Sequence, residues 1–185
     1  MSTMTSDPGF NRGQTLGVTV KLYEAENGDG STVIGTRKEF RDENPRTGQL
    51  FSNRPVECIA VKNKSGSALT AGQVVKFKAA ATSGQFGGGI LGEVDALATT
   101  SDALIGVVDE YLTSSVADGE VFWLVVRGPS TVLKTSTSVA AGASYGLSAT
   151  AGSAAAQSTN PLLGYAIETS ATTTGRILVR TTAGF

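Results

Sequence analysis

The sequence predicts a mainly β protein, a compact antiparallel β-barrel or β-sandwich with an extended N-terminal arm or hairpin. Short apolar runs recur along the chain and glycine turns separate them, which is typical of strands joined by tight connections. Charged residues make up only 17% of the chain, and Ala, Ser, Thr and 23 Gly take their place. Small and β-branched side chains suit close-packed strands better than helices. Both observations therefore favour the same fold class.

Composition also excludes several classes of function. The 185 residues suffice for one domain with an appendage. A net charge of −1 argues against a nucleic-acid partner, because neutralising phosphates requires clustered Lys and Arg. The single cysteine excludes an internal disulfide. The N-terminus lacks the segments of a signal peptide, and the longest apolar run, Val121–Val126, is too short to cross a bilayer. We therefore expect synthesis in the cytoplasm and no membrane partner.

Charge divides the chain into two predicted regions, residues 1–54 and residues 55–185. The first 64 residues hold nine of the 15 Lys and Arg and eight of the 16 Asp and Glu. In the second region, alternation predicts strands over 56–61 and 73–79, and the strand–glycine–strand rhythm continues to the C-terminus. This second region is predicted to be the β-barrel or β-sandwich itself.

The first region predicts one β-hairpin followed by an arm. Residues 17–23 alternate, residues 27–30 form a turn, and residues 31–35 return. Residues 37–46 show no clean period, and Pro45 prevents a helix from continuing. This stretch is therefore interpreted as an extended arm.

Three segments of the second region depart from the strand rhythm. Residues 82–92 predict an exposed loop, because fixing the backbone of three consecutive glycines costs a large conformational entropy. Residues 93–104 predict a short helix. Residues 148–159 are rich in Ala, Ser and Gly and predict a surface excursion.

Parts of the second region resemble one another. Each copy has a turn and strand, then a Leu-x-Gly strand ending in acid, then a polar turn with Gly and a further apolar run. A duplication explains the similarity, and two hairpin pairs that converged on one pattern explain it equally well. The matching pairs are residues 69–75 with 139–145, 104–110 with 162–168, and 119–127 with 175–180.

The apolar positions of these strands predict the core. Alternating positions of half-buried strands and the continuous apolar run around Trp123 face inward. The predicted core residues are Val61, Val75, Ile105, Val107, Val121, Trp123, Val125, Leu147, Ile167 and Leu178.

The residue inventory offers little for catalysis. The chain has no histidine, which removes Ser-His-Asp and Cys-His arrangements and the commonest zinc ligand. Cys58 alternates with apolar neighbours and is interpreted as a small buried hydrophobe rather than a nucleophile. Residues 87–92 spell a dinucleotide-type glycine pattern, but no strand precedes it and no βαβ unit follows. A flexible loop is the better interpretation.

Acidic clusters are interpreted in the same way. Residues 24–30 bunch carboxylates without the ligand spacing of a calcium loop, so a hairpin turn is favoured. Asp109, Glu110 and Glu168 end matching strands and are interpreted as solvated strand ends rather than a glycosidase pair. We predict no catalytic residue, no cofactor site and no metal site, and expect that the protein is not an enzyme.

Three turn-and-strand pieces of the second region form a further pattern. The pieces are Ser65-Gly66 with Leu69, Gly72, Val74 and Val75; Ala103 through Val108; and Ala117 through Gly128. Together they resemble the small head-decoration, or capsid cement, proteins of tailed bacteriophages. The likeness covers about residues 55–180, and the charged first region has no part in it.

The resemblance implies a structural virion protein on the outside of the phage head, made in the host cytoplasm and without a catalytic role. Its partner would be the major capsid protein of a tailed phage. A homotrimer over capsomer junctions would cement neighbouring subunits, because several linked sites raise effective concentration. The alternative is a virion fibre or receptor-binding β-module that recognises a surface carbohydrate, which should show exposed aromatic residues.

Residues 1–54 are predicted to grip the capsid. An arm that orders on binding loses conformational entropy, and aromatic anchors and charge-assisted Arg donors offset that loss. The competing interpretation makes residues 17–35 another hairpin of the body and residues 37–54 a solvated linker. The candidate capsid-binding residues are Phe10, Arg12, Arg37, Phe40, Arg41, Arg46, Phe51 and Arg54.

Overall fold

The computed structural model describes most of the chain from residue 34 onward and two short pieces before it. Most of the predicted N-terminal hairpin and glycine-rich loop lie outside the described residues, as do the acidic turn at 24–30, Phe10 and Arg12. The described residues are 16–17, 19–20, 34–78, 92–102, 104–135, 138–157 and 161–181.

Eleven strands are described, so the prediction of a mainly β fold is confirmed. The strands are β1 (Thr19–Val20), β2 (Arg37–Glu43), β3 (Leu50–Asn63), β4 (Val74–Phe77), β5 (Glu93–Leu97), β6 (Ile105–Val108), β7 (Val121–Leu133), β8 (Ser144–Leu147), β9 (Ala154–Ala156), β10 (Leu162–Ala166) and β11 (Thr174–Arg180).

Five strands close into a first barrel. Neighbouring strands are hydrogen-bonded in the order β3-β5-β4-β6-β7, and β7 returns to pair with β3, which closes the ring. These pairings are antiparallel except for β3 with β5, which run parallel at Lys62 and Asn63. Closure gives each strand two neighbours, which is how barrels avoid exposed strand edges.

A second barrel begins where the first one ends. Its strands follow the order β7-β11-β10-β8-β9, all paired antiparallel. An isolated parallel bridge joins Lys134, which directly follows β7, to Ala154 in β9. This bridge closes the second ring in the same sense in which β3 with β5 closes the first. The long strand β7 is therefore the last strand of one barrel and the first strand of the other.

The two barrels are structural repeats. In the first, Lys64 N–H donates to Val94 O at 2.8 Å, and in the second, Thr135 N–H donates to Ala154 O at 2.9 Å. Segments that match in sequence also form equivalent bonds, since Gly72 N–H donates to Val108 O at 3.0 Å and Gly142 N–H donates to Ala166 O at 2.9 Å.

A buried polar side chain in each repeat supports this correspondence. Asn63 Nδ2 donates to Val116 O at 3.0 Å, and Lys134 Nζ donates to Ser170 O at 3.2 Å. Asn63 and Lys134 occupy the same place at the end of the first strand of each barrel, and both are buried. Each therefore satisfies a loop carbonyl of its own repeat, as a buried polar group must.

One of the sequence matches is shifted in the structure. Val107 and Tyr165 are matched positions in the sequence repeat. Val125 of β7 pairs with Val107, and Leu178 of β11 pairs with Tyr165, so Val125 corresponds to Leu178. The glycines that precede the two apolar runs in the sequence, at positions 119 and 175, are consequently not structural counterparts.

Two apolar clusters fill the protein, and eight of the ten predicted core residues lie fully buried in them. One cluster is the interior of the first barrel. The other joins the interior of the second barrel to the outer face of the first. Ile167 and Leu178 were wrongly predicted, since Ile167 is exposed and Leu178 is only partly buried. Ile177 and Val179 take the inward positions of β11, so Leu178 faces outward.

Several predicted elements have a different form. Residues 93–97 are strand β5 rather than the start of a helix, because this segment completes the first ring between β3 and β4. Residues 37–43 are strand β2, paired along β3, rather than a free arm. The predicted boundary between residues 54 and 55 lies inside β3. The tract at 148–159 contains strand β9.

Gly128 provides a test of how β7 passes from one barrel to the other. Its φ is +103°, and a Cβ there would collide with Pro55 O, a backbone atom of β3. We expect Gly128→Ala to lower the free energy of unfolding by about 3 kcal/mol or more, because backbone must move. Gly119→Ala is the control, since its φ of +88° is similar but a Cβ would meet nothing within 4 Å. It should cost about 1–2 kcal/mol. Equal losses in urea unfolding would contradict the close approach.

Candidate functional site

The outer faces of the two barrels differ in how they are covered. On the first barrel, Trp123 and Val125 point away from the interior and are buried beneath N-terminal residues. Phe40 of β2 packs edge-on against Trp123, with ring centroids 5.0 Å apart and an interplanar angle of 71°. Leu16 is also buried in this cluster. The chain thus covers the outer face of its own first barrel.

On the second barrel, the described segments leave the corresponding face exposed. Tyr165 of β10, Leu178 of β11 and Ile167 just beyond β10 line a depression of about 460 Å³, together with Phe51 and Arg54 of β3. We call the surface formed by these five residues the groove. Phe51 is 45% exposed, Tyr165 38% and Ile167 46%. Clustered exposed apolar side chains of this kind mark an interaction site.

The floor of the groove is a network of buried charges. Arg176 of β11 donates through Nη2 to the Asp42 carboxylate of β2 and through Nη1 to Glu110 Oε2 at 3.1 Å. Thr131 Oγ1 donates to Glu110 Oε2 at 2.6 Å. The guanidinium carbon also lies 4.7 Å from the centre of the Phe51 ring. The network joins β2, β7 and β11 and holds Phe51 at the edge of the groove.

Burial and neighbouring charge act against each other in this network. Burial raises the pKa of Glu110, although Thr131 and Arg176 lower it in part. Burial by itself would lower the pKa of Arg176, but Glu110 and Asp42 outweigh it and raise that pKa above its ordinary value. The guanidinium therefore stays charged. This cation, paired with Asp42 and Glu110, lies beneath the groove.

A second buried carboxylate holds the N-terminal segment. Asp109, at the end of β6, is fully buried and accepts hydrogen bonds from Gly17 N–H and, at 2.9 Å, from Tyr111 N–H. Its interpretation as a solvated strand end was wrong. Burial raises its pKa to about 6, although both N–H donors lower it. Asp109 thus holds Gly17 by a hydrogen bond, just before β1, and β1 in turn pairs with β7.

The structure separates the predicted capsid-binding residues. Phe51 and Arg54 lie together at the groove, whereas Phe40 packs in the core cluster against Trp123. Arg46 donates to Tyr111 O and is exposed. Arg37 and Arg41 are exposed on the edge strand β2, and Phe10 and Arg12 are outside the described residues.

Sequence reasoning missed the part of the groove that comes from the second barrel. Alternation places Leu178 in the interior and gives Tyr165 no role. One signal was available: Ile167 matches Asp109 in the repeat, so an apolar residue stands where the first copy has an acid. Beside other exposed apolar side chains, such a residue marks a contact surface.

Other kinds of site find less support in the described part of the chain. Cys58 is buried as predicted, and burial raises the pKa of its thiol, the opposite of an activated nucleophile. Among the described residues, no group of three or more His, Cys, Asp or Glu is placed to hold a metal ion. Nor do these residues include a helix with the length and apolar character for spanning a bilayer.

Comparison with known proteins finds similarity in structure alone. No protein-family model matches the chain, and no curated protein matches it in sequence. In structure, the chain is similar to the head fiber gp8.5 N base in bacteriophage phi29, with 13% sequence identity and a TM-score of 0.43. The match covers 66% of this chain and 92% of that chain. At this TM-score the similarity assigns no function to the chain.

The charge network provides one prediction. We expect Arg176→Leu to lower the free energy of unfolding by about 3–5 kcal/mol, because Asp42 and Glu110 would stay buried without their cation. Arg127→Leu is the control, since Arg127 pairs with Glu57 at 3.2 Å but its side chain is 62% exposed. Its loss should be below about 1 kcal/mol. Urea unfolding of both variants checks this, and similar losses would show that the buried network contributes no more than a surface pair.

Asp109 provides a prediction about pH. Its folded-state pKa of about 6 lies above the ordinary value of 3.8, so the folded state binds the proton more tightly. Its contribution to stability is therefore complete below about pH 4 and is lost as the pH rises through about 6. Between pH 7.5 and pH 5 the wild type should gain about 1–1.5 kcal/mol relative to Asp109→Asn, whose amide does not titrate. Urea unfolding of both proteins across this range measures the difference, and parallel pH profiles would contradict it.

Proposed function

We propose that the protein is a structural component of a tailed-phage virion that binds the outside of the head and cements neighbouring major capsid subunits. The observation that carries this proposal is the open face of the second barrel, whose counterpart on the first barrel is covered by the chain itself. A rigid body with one exposed apolar face is what an adhesive structural protein requires.

The resemblance to capsid cement proteins supports the choice of partner. The three pieces that carry it fold as neighbouring parts of the first barrel: the turn into β4 with the start of that strand, strand β6, and the turn into β7 with the first half of that strand. The residues that form the pattern are therefore framework residues. The groove, by contrast, lies on the second barrel and at the start of β3.

A homotrimer with no catalytic activity belongs to the same proposal. Three copies on one capsomer junction would each contribute a weak contact, and their linkage would raise the overall affinity without any new type of contact. Light scattering of the purified protein and a density map of decorated heads would report the oligomeric state. A monomer in both would defeat this part of the proposal.

Binding to heads is the direct test. Full-length protein is mixed with heads that lack it, and the heads are sedimented. We expect saturable co-sedimentation, with occupancy that levels off at a fixed ratio of protein to capsid subunits. Protein that stays in the supernatant over a wide concentration range would refute the proposal.

The alternative function is recognition of a surface carbohydrate by a virion fibre module. It has one observation in its favour, because Phe51 and Tyr165 are exposed aromatic side chains at the groove. Binding to host cells or purified surface glycans, lost on Tyr165→Ala and absent with heads, would favour this alternative.

A further inference from the structure

The groove continues into a second depression of opposite character. That depression has a volume of about 420 Å³, and its lining includes three arginines, Arg54, Arg127 and Arg180, which we call the arginine ridge. Arg54 and Leu178 line both depressions, so the apolar groove and the arginine ridge form one continuous surface.

The charges of the arginine ridge are largely uncompensated. No described carboxylate forms an ion pair with Arg54 or Arg180. Arg127 pairs with Glu57, but more than half of its side chain stays exposed. Glu168 lines the groove on the side of Ile167. A bound ligand would therefore contact positive charge at the arginine ridge and the Glu168 carboxylate beside the apolar part of the groove.

The first barrel shows what kind of segment this face accepts. There the face is covered by β2 and by residues 16–17, which lead into β1, and Gly17 donates to Asp109. Ile167 is the counterpart of Asp109, since Asp109 N–H bonds to Trp123 O at 3.3 Å and Ile167 N–H bonds to Arg176 O at 3.0 Å. A carboxylate acceptor is thus replaced by an exposed apolar side chain. A segment that covers the second barrel needs an apolar residue at this point.

We propose that the groove and the arginine ridge bind an extended segment of the capsid subunit in which an aliphatic or aromatic side chain lies next to carboxylates. The apolar side chain packs against Ile167, Tyr165 and Phe51. The carboxylates pair with Arg54 and its neighbours on the ridge. This inference rests on the proposed function and names the surface and the chemistry through which that function is exercised.

A second copy of this chain is the competing occupant, and charge argues against it. Of the segments that cover the first barrel, residues 16–17 carry no charged side chain, and β2 carries three carboxylates and three cationic side chains. The same segments of a second copy would therefore bring no net negative charge to the arginine ridge. An acidic segment from another protein satisfies both parts of the surface.

Matched pairs of full-length variants test the proposal in the sedimentation assay. Ile167→Asp and Arg54→Glu change the groove and the ridge. Leu104→Asp and Lys64→Glu make the same changes at exposed positions of the first barrel, outside both depressions. All four positions are exposed, so unfolding midpoints should match the wild type. We expect each groove or ridge variant to bind heads about tenfold more weakly or worse, and each control to stay within about twofold.

Two further measurements separate the outcomes. A benzophenone-bearing amino acid in place of Tyr165 should crosslink, on decorated heads, to a capsid peptide that contains Asp or Glu, and head affinity should fall as salt is raised. If the wild type binds heads and the groove variants bind equally well, this inference is overturned and the proposed function stands. A crosslink to a second copy of this chain would have the same consequence. Failure of the wild type to bind heads would instead overturn the proposed function.

Discussion

The strand β7 carries a constraint on which the rest of the structure depends, because one strand has to complete two barrels. Over Val121–Arg127 it pairs with β3, and over Arg127–Leu133 it pairs with β11. Gly128 sits where these partners meet, and its backbone passes so close to Pro55 that no side chain fits. The register of β7 therefore fixes the register of both neighbours, and through them the closure of both rings.

The charge network follows from the same constraint. Thr131 lies on the second half of β7, and Arg176 pairs opposite it on β11. Glu110 comes from the end of β6, and Asp42 comes from β2, which is held by β3. Separating the members of a buried ion network leaves charges buried without a partner, which is strongly destabilising. Here the network selects one placement of β2 against the second barrel, which positions Phe51 and leaves the neighbouring face open.

Local patterns in the sequence predicted the mainly β fold, strands such as β3, β4 and β7, and most of the core, because these depend on alternation and glycine. Ring closure was beyond such reasoning, since the pairing of Lys62 with Glu93 and of Lys134 with Ala154 depends on tertiary position. Strand β2 escaped detection because its more buried face presents Lys38, Phe40 and Asp42, which give no apolar alternation. The groove was predicted in part, since Phe51 and Arg54 were singled out. Only the register of β10 and β11 brings Tyr165 and Ile167 beside them.

The absence of a linker between the two repeats has a mechanical consequence. Because β7 runs from the first ring into the second without a break, the barrels share a covalent backbone and have no hinge between them. A pull on the face of the second barrel is transmitted along β7 and is resisted by the hydrogen bonds of β3 and β11, loaded in shear on either side of Gly128. We therefore expect the two barrels to move as one body, so that a partner bound to one barrel would fix the orientation of the other.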